Sequence, residues 1–239
     1  VTSGTQRLRP MEAARVRYIT DLRLAPFLRE SNGDTGRALR LYSWNIEMSG
    51  AAYEVLHRFE VLLRNAIDPC LCAWNTTEVS RTTGEPHAAD WLLDPAPLLE
   101  RLAHRALEQA VPRAAQAVAN RPNTTPLHAD VLAQTSFGTW RYLLPDRDAG
   151  RQLLWRDAVV DAFPHLPADK NGGDVTRAVD LVYQLRNRVA HLEPLLEVRK
   201  VRSQIDAAYD VAGWIDPEMR SWLTSAQRVT AMFKARLRI

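Results

Sequence analysis

The chain has 239 residues, 46% hydrophobic and 25% charged, with a formal net charge of +3. That balance excludes a disordered or fibrous protein, and the length suffices for one large domain burying roughly 70–75% of its unfolded surface without disulfides or metal. No run of about 18 apolar residues occurs, so no membrane partner is expected. Residues 1–19 carry no apolar segment of the secretory kind, and the two cysteines, Cys70 and Cys72, are too close to bridge separate parts of a fold. A cytoplasmic location is the expectation. From residue 186 onward there are ten Lys+Arg and six Asp+Glu, a net of +4 that leaves −1 for residues 1–185. A C-terminal basic excess is the footprint a phosphate-bearing partner would use. Of the 31 basic residues 28 are Arg, and an Arg- and Ala-rich composition accounts for the same excess without any partner.

The apolar pattern is helical almost throughout. A first helix is predicted over Met11–Leu28. Ser31–Asp34 breaks the chain, and Asp34 caps a helix running through Leu39, Leu41, Tyr42 and Ile46. Ser49 caps the next, whose stripe is Tyr53, Leu56, Phe59, Leu63 and Ile67; Pro69 ends or kinks it. Residues 75–89 form a polar loop. Asp94–Pro95 opens a helix to about Asn120, bent at Pro112. After the loop Arg121–Pro126 comes Leu127–Leu144, interrupted at Phe137–Gly138, then Arg147–Phe163. Asp174 caps a helix ended by Pro194. Leu196–Trp214 and Pro217–Leu237 complete the chain. No strand pattern appears. The expectation is one all-α domain over residues 1–239 with about eight to nine helices, the helices of 196–239 packing on a core at about 35–200.

Chemistry concentrates in Gln184–Leu192. Asn187 and His191, four residues apart, share a helix face, and Arg186 lies about 140° from His191 but can reach the helix end. A carboxamide, a guanidinium and an imidazole thus gather at one helix terminus. The trio suits metal-free RNA cleavage. Imidazole, with an ordinary pKa of about 6.5, can take the 2′-hydroxyl proton. Arg offers paired planar donors to the phosphate oxygens as charge builds there, and Asn can orient either group. The bland alternative is a solvated helix-end His with Arg capping carbonyls.

Arg186-Asn187-x-x-x-His191 resembles the signature of the HEPN superfamily of ribonucleases. Leu41-Tyr-Ser-Trp-Asn45 with Phe59-Glu-Val-Leu-Leu-Arg-Asn-Ala-Ile67, and Thr135-Ser-Phe-Gly-Thr-Trp140, resemble the N-terminal and central blocks of its Abi-like, abortive-infection branch. The resemblance implies a HEPN-like helical bundle with extra helices. It implies a homodimer whose two motifs face one cleft, and cleavage leaving 2′,3′-cyclic phosphate and 5′-hydroxyl ends. It implies a role in antiphage defence or a toxin–antitoxin system, with RNA as substrate and an antitoxin protein or regulatory small RNA as partner. Arg186, Asn187 and His191 become the catalytic set. Two residues after the histidine, where toxins regulated by a nucleotidyltransferase antitoxin often carry Tyr, this chain has Glu193. The rival reading is a catalytically silent module that binds RNA or a partner protein.

Arg64 and Asn65 belong to the first block and are candidate RNA contacts; Arg188, three residues before His191, is a third. Glu60 and Arg64 also read as an ordinary i, i+4 surface pair. Cys70-Leu-Cys72 is too sparse for zinc, so the thiols read as idle, no metal is assigned and no cofactor is expected. His57, His87, His104, His128 and His165 have no motif partner, and the seven tryptophans read as core anchors.

Overall fold

The computed structural model describes residues 9–120, 125–225 and 228–236. The helix expected over Met11–Leu28 is two, α1 (Pro10–Ile19) and α2 (Asp21–Glu30), broken at Thr20, whose φ of 70° is left-handed. Asp34 is the expected cap: its carboxylate accepts from the Arg37 amide at 2.8 Å. The helix it opens, α3 (Thr35–Asn75), runs 41 residues without stopping at Ser49 or Pro69. Local cap propensity loses at Ser49 because Met48, Ala51 and Ala52 on either side are fully buried, so continuing the helix keeps all three in the core. Pro69 removes the amide that would bond the Asn65 carbonyl. Both residues sit on the exposed side, where water can replace the lost bond.

Residues 76–96 form the polar loop, and Asn75 holds it shut. Its fully buried carboxamide donates to the Ala88 and Asp94 carbonyls at 2.6 and 2.9 Å and accepts from the Ala96 amide at 2.9 Å. Asp94 does not cap the next helix; it accepts from the Ala88 amide at 2.8 Å and meets His87 Nδ1 at 3.1 Å. The helix, α4 (Pro97–Val118), starts after Ala96 and runs through Pro112. The loop at 121–126 lies mostly outside the described residues. The interrupted segment is α5 (His128–Gln134) and α6 (Phe137–Leu143), parted at Thr135–Ser136. Then come α7 (Ala149–Asp157) and a 3-10 turn, Val159–Ala162.

α8 (Gly172–Ala190) begins two residues before Asp174. Asn171 is the true cap, accepting from the Gly173 amide at 2.8 Å, while Asp174 reaches back to the Asn171 amide at 2.9 Å. Two glycines in a first turn argue against a helix by propensity. At Gly172 the reason is contact: a Cβ would lie 2.6 Å from Pro145 and 2.7 Å from Trp155. The chain ends with α9 (Val198–Ile215), α10 (Pro217–Ser225) and α11 (Val229–Arg236), the last two replacing one expected helix. Among the described residues there are eleven α-helices, more than expected, and no strand beyond an isolated bridge between Val79 and Pro86. No described helix is long and apolar enough to cross a membrane.

α3 is the axis. It packs against α2, α6, α8, α9, α10, α11 and the 3-10 turn. The main core draws on every helix from α3 to α11; a smaller one joins α2 to the start of α3 through Leu24, Phe27, Ala38, Leu39 and Leu41. Phe137 sits between Phe59 and Tyr183, edge-on to both at 5.8 and 5.6 Å, and so ties α3, α6 and α8 together.

Acid stability has a defined weak point. Asp148 caps α7, accepting from the Arg151 amide at 2.9 Å, and pairs with Arg101 through two 3.0 Å bonds. The Arg101 guanidinium, then the amide, holds the Asp148 carboxyl well below the usual carboxylate range. A depressed carboxyl contributes stability above its unfolded pKa of about 3.9 and loses it as pH falls toward the folded value. The gap in melting temperature between wild type and Asp148→Asn is therefore expected to be full at pH 7 and to narrow below pH 4. An equal gap at both pH values would contradict the assignment.

Candidate active site

On α3, Ile46, Tyr53, His57, Glu60 and Arg64 follow one another at helical spacing and form a single stripe. Tyr53 was expected among the buried positions but is 60% exposed and heads this polar stripe instead. It lies about 60° from Leu56 around the helix, just beyond what the core covers. The last turn of α8 faces the stripe. Between them is a groove of about 470 Å³ lined by Tyr53, His57, Glu60, Arg64, Thr135 and Arg186, among others. Arg186 Nε stands 4.0 Å from Glu60 Oε2. The expected Glu60–Arg64 pair is not formed: Glu60 turns to Arg186, and Arg64 donates to Asn65 Oδ1 at 3.2 Å and to the Leu132 carbonyl at 3.5 Å.

His191 caps α8, its amide donating to the Asn187 carbonyl at 2.9 Å, and its side chain is exposed; the groove is lined by Arg186, Val189 and Ala190 of this helix and not by Asn187 or His191. Asn187 is half-buried one turn earlier. The helix then closes in a Schellman turn, Glu193 donating to the Arg188 carbonyl at 2.8 Å and Leu192 to Val189 at 3.1 Å. The left-handed position, usually Gly, is Leu192 with φ 57°. Its side chain is 66% exposed, so burial does not offset the roughly 1–2 kcal/mol cost of that conformation.

Two contacts fix this turn, the first buried and the second exposed. Asn45, in the first block, accepts from the Leu195 amide at 2.6 Å, and the Arg23 guanidinium donates to the Leu192 carbonyl. Arg188, a candidate phosphate contact from sequence, is folded back instead: its side chain is 15% exposed, donates to the Pro194 carbonyl and lies 3.8 Å from Glu193. The loop holds one of its amino groups, while Nη1 is buried without a partner. Asn65 is exposed beside Arg64.

The pattern missed two contributors. His57 has no motif partner but joins Arg186 in the groove; its four-residue spacing from Tyr53 and three from Glu60 was the available signal. Asn45, a carboxamide in an apolar helix stretch, signalled a buried polar partner. The central block is architectural: Phe137 is buried, and Thr135 accepts from Trp140 Nε1 at 3.0 Å. Trp44, Trp74, Trp91 and Trp140 are core anchors, whereas Trp222 is 44% exposed.

Elsewhere, a groove of about 590 Å³ between α4 and α6 is lined by Arg101, His104 and Tyr142. Arg101 is engaged by Asp148 and His104 lies 3.3 Å from Glu108, while Arg105 also lines this groove. Cys70 and Cys72 are free thiols. Burial, then the Asp68 carboxylate, pushes the Cys72 thiol up to about 11, so unaided it is a poor nucleophile at neutral pH. Comparison with protein-family models, with curated proteins and with solved structures found no match.

Proposed function

We propose that the chain is a HEPN-type, Abi-like endoribonuclease acting as a defence effector or toxin. The observation that carries this reading is the groove in which Arg186 meets the Tyr53–His57–Glu60–Arg64 stripe, with His191 exposed at the end of the same helix. A phosphodiester in the groove has Arg186 for its non-bridging oxygens, with Arg64 on the facing wall. His191 takes the 2′-hydroxyl proton; the 2′-oxygen bonds to phosphorus, and the P–O5′ bond breaks. The 5′-oxygen leaves with a proton from a second imidazole. The products are a 2′,3′-cyclic phosphate and a 5′-hydroxyl, and no bond change requires a divalent cation.

A second copy of the chain supplies that second imidazole in a C2 homodimer with two α8 termini facing one cleft. Leu22 and Ile46, next in sequence to the Arg23 and Asn45 that hold this turn, are 88% and 58% exposed, and Leu192 is kept exposed there at the expense of strain. Exposed apolar groups around a strained turn are what a partner surface explains. Light scattering is expected to give about 54 kDa for two chains of 27.0 kDa. Leu192→Gly relieves the left-handed strain, so the variant should melt no lower as a monomer, yet its mass should shift toward a single chain. A wild-type chain that stays monomeric at micromolar concentration contradicts the dimer.

Activity is tested by incubating purified protein with total RNA without added divalent cation and joining the products with a ligase specific for cyclic-phosphate and 5′-hydroxyl ends. Ligatable fragments are expected. A requirement for added Mg²⁺ or Mn²⁺ overturns the mechanism. RNA that is bound but never cut replaces the enzyme with the silent binding module.

A further inference from the structure

One turn beyond Arg64 on α3, Asp68 is nearly buried and accepts from Trp91 Nε1 at 2.9 Å. Its two carboxylate oxygens lie 3.0 and 3.1 Å from Nε2 of His128, the first residue of α5. The next turn of α3 brings Cys72 Sγ to 3.8 Å from the same nitrogen. One donor atom from each residue lies within 4.8 Å of the other two. A nucleophilic triad does not fit, because it needs the imidazole to bridge, with one ring nitrogen toward the carboxylate and the other toward the sulfur. Here both face Nε2, and Nδ1 is buried without a partner, so the ring is oriented wholly by what lies on its Nε2 side.

We infer that Asp68, Cys72 and His128 form a binding site for a divalent cation of the zinc type, a function separate from the groove chemistry. Three unlike donors converging on one point are what a tetrahedral ion requires. With Zn–S about 2.3 Å and Zn–N about 2.0 Å, the sulfur and nitrogen stand roughly 3.5 Å apart, so small side-chain rotations suffice. Thiolate and imidazole select zinc over the oxygen-seeking Mg²⁺ and Ca²⁺, and the two anionic ligands neutralise its charge. Water completes the fourth position. The ion clamps α5 onto α3. Because α5 also carries the Leu132 carbonyl that receives Arg64 and the Ala133 that lines the groove, the ion holds a wall of that groove without touching the reacting phosphate.

The test uses the full chain, reduced and freed of metal, titrated with Co²⁺. One equivalent is expected to give a thiolate-to-cobalt charge-transfer band and tetrahedral visible bands, both displaced by Zn²⁺, and Zn²⁺ is expected to raise the melting temperature. Cys72→Ser removes the charge-transfer band, and His128→Ala weakens binding at least tenfold. Cys70→Ser binds as wild type, since the Cys70 sulfur turns to the Ala66 carbonyl 3.5 Å away. The absence of a thiolate band in the wild type at millimolar Co²⁺, or an unchanged spectrum in Cys72→Ser, overturns the site. Should His128→Ala fail to fold, the wild-type and Cys72→Ser spectra alone decide. No RNA enters the measurement, so its outcome is independent of nuclease activity.

Discussion

His191→Ala is expected to lower RNA cleavage by roughly 10²–10⁴-fold while the protein remains folded. The imidazole is exposed at the end of α8, and the bonds His191 donates to the Asn187 and Val189 carbonyls come from its backbone amide, which alanine preserves. Little stability is therefore at stake, and the lost rate reports proton transfer. Arg186→Ala should lose a comparable amount for a different reason: it strips positive charge from the phosphate as negative charge develops. Arg186→Lys should not rescue it, because an ammonium cannot offer two parallel donors and sits differently against Glu60, 4.0 Å away. Glu60→Gln separates the roles further. It frees Arg186 of its anionic neighbour, so RNA should bind more tightly, while a fall in turnover would show that the carboxylate positions the guanidinium. Measured rates of His191→Ala and Arg186→Ala equal to wild type would reduce the motif to a coincidence of an Arg-rich helix.

Phe137→Ala is expected to cost about 3–5 kcal/mol of unfolding free energy, a large share of the 5–15 kcal/mol typical of a whole domain. Phe137 has no exposed surface, and its ring is edge-on to both Phe59 and Tyr183. Removing it opens a cavity where α3, α6 and α8 meet and breaks two aromatic pairs, each worth about 0.5–1.5 kcal/mol beyond area alone. Urea denaturation should show a lower midpoint with an unchanged slope. Activity should fall with the folded fraction, in contrast to His191→Ala, where activity falls and the midpoint stays. A loss below about 1 kcal/mol would show that the neighbouring helices can close the gap.

The α-helical class, most helix positions and the buried stripe Leu56, Phe59, Leu63 and Ile67 were legible in the sequence because each helix records which of its own faces it buries. Asp34 was legible as a cap because its carboxylate bonds an amide three residues away. Arg186, Asn187 and His191 could be singled out because their spacing on one helix is a local fact. Where the structure departs from the pattern, a distant contact outweighed a local preference. Ser49 does not stop α3 because Met48, Ala51 and Ala52 are needed in the core. Two glycines open α8 because Trp155 and Pro145 leave no room for a side chain at Gly172. Glu60 meets Arg186, Asn45 pins the turn after His191, and Cys72 and Asp68 meet His128 across 56 and 60 residues of chain. Each of these pairings depends on which helices pack together and at what rotation. Many long-range side-chain contacts set that packing at once, so only the tertiary structure decided it.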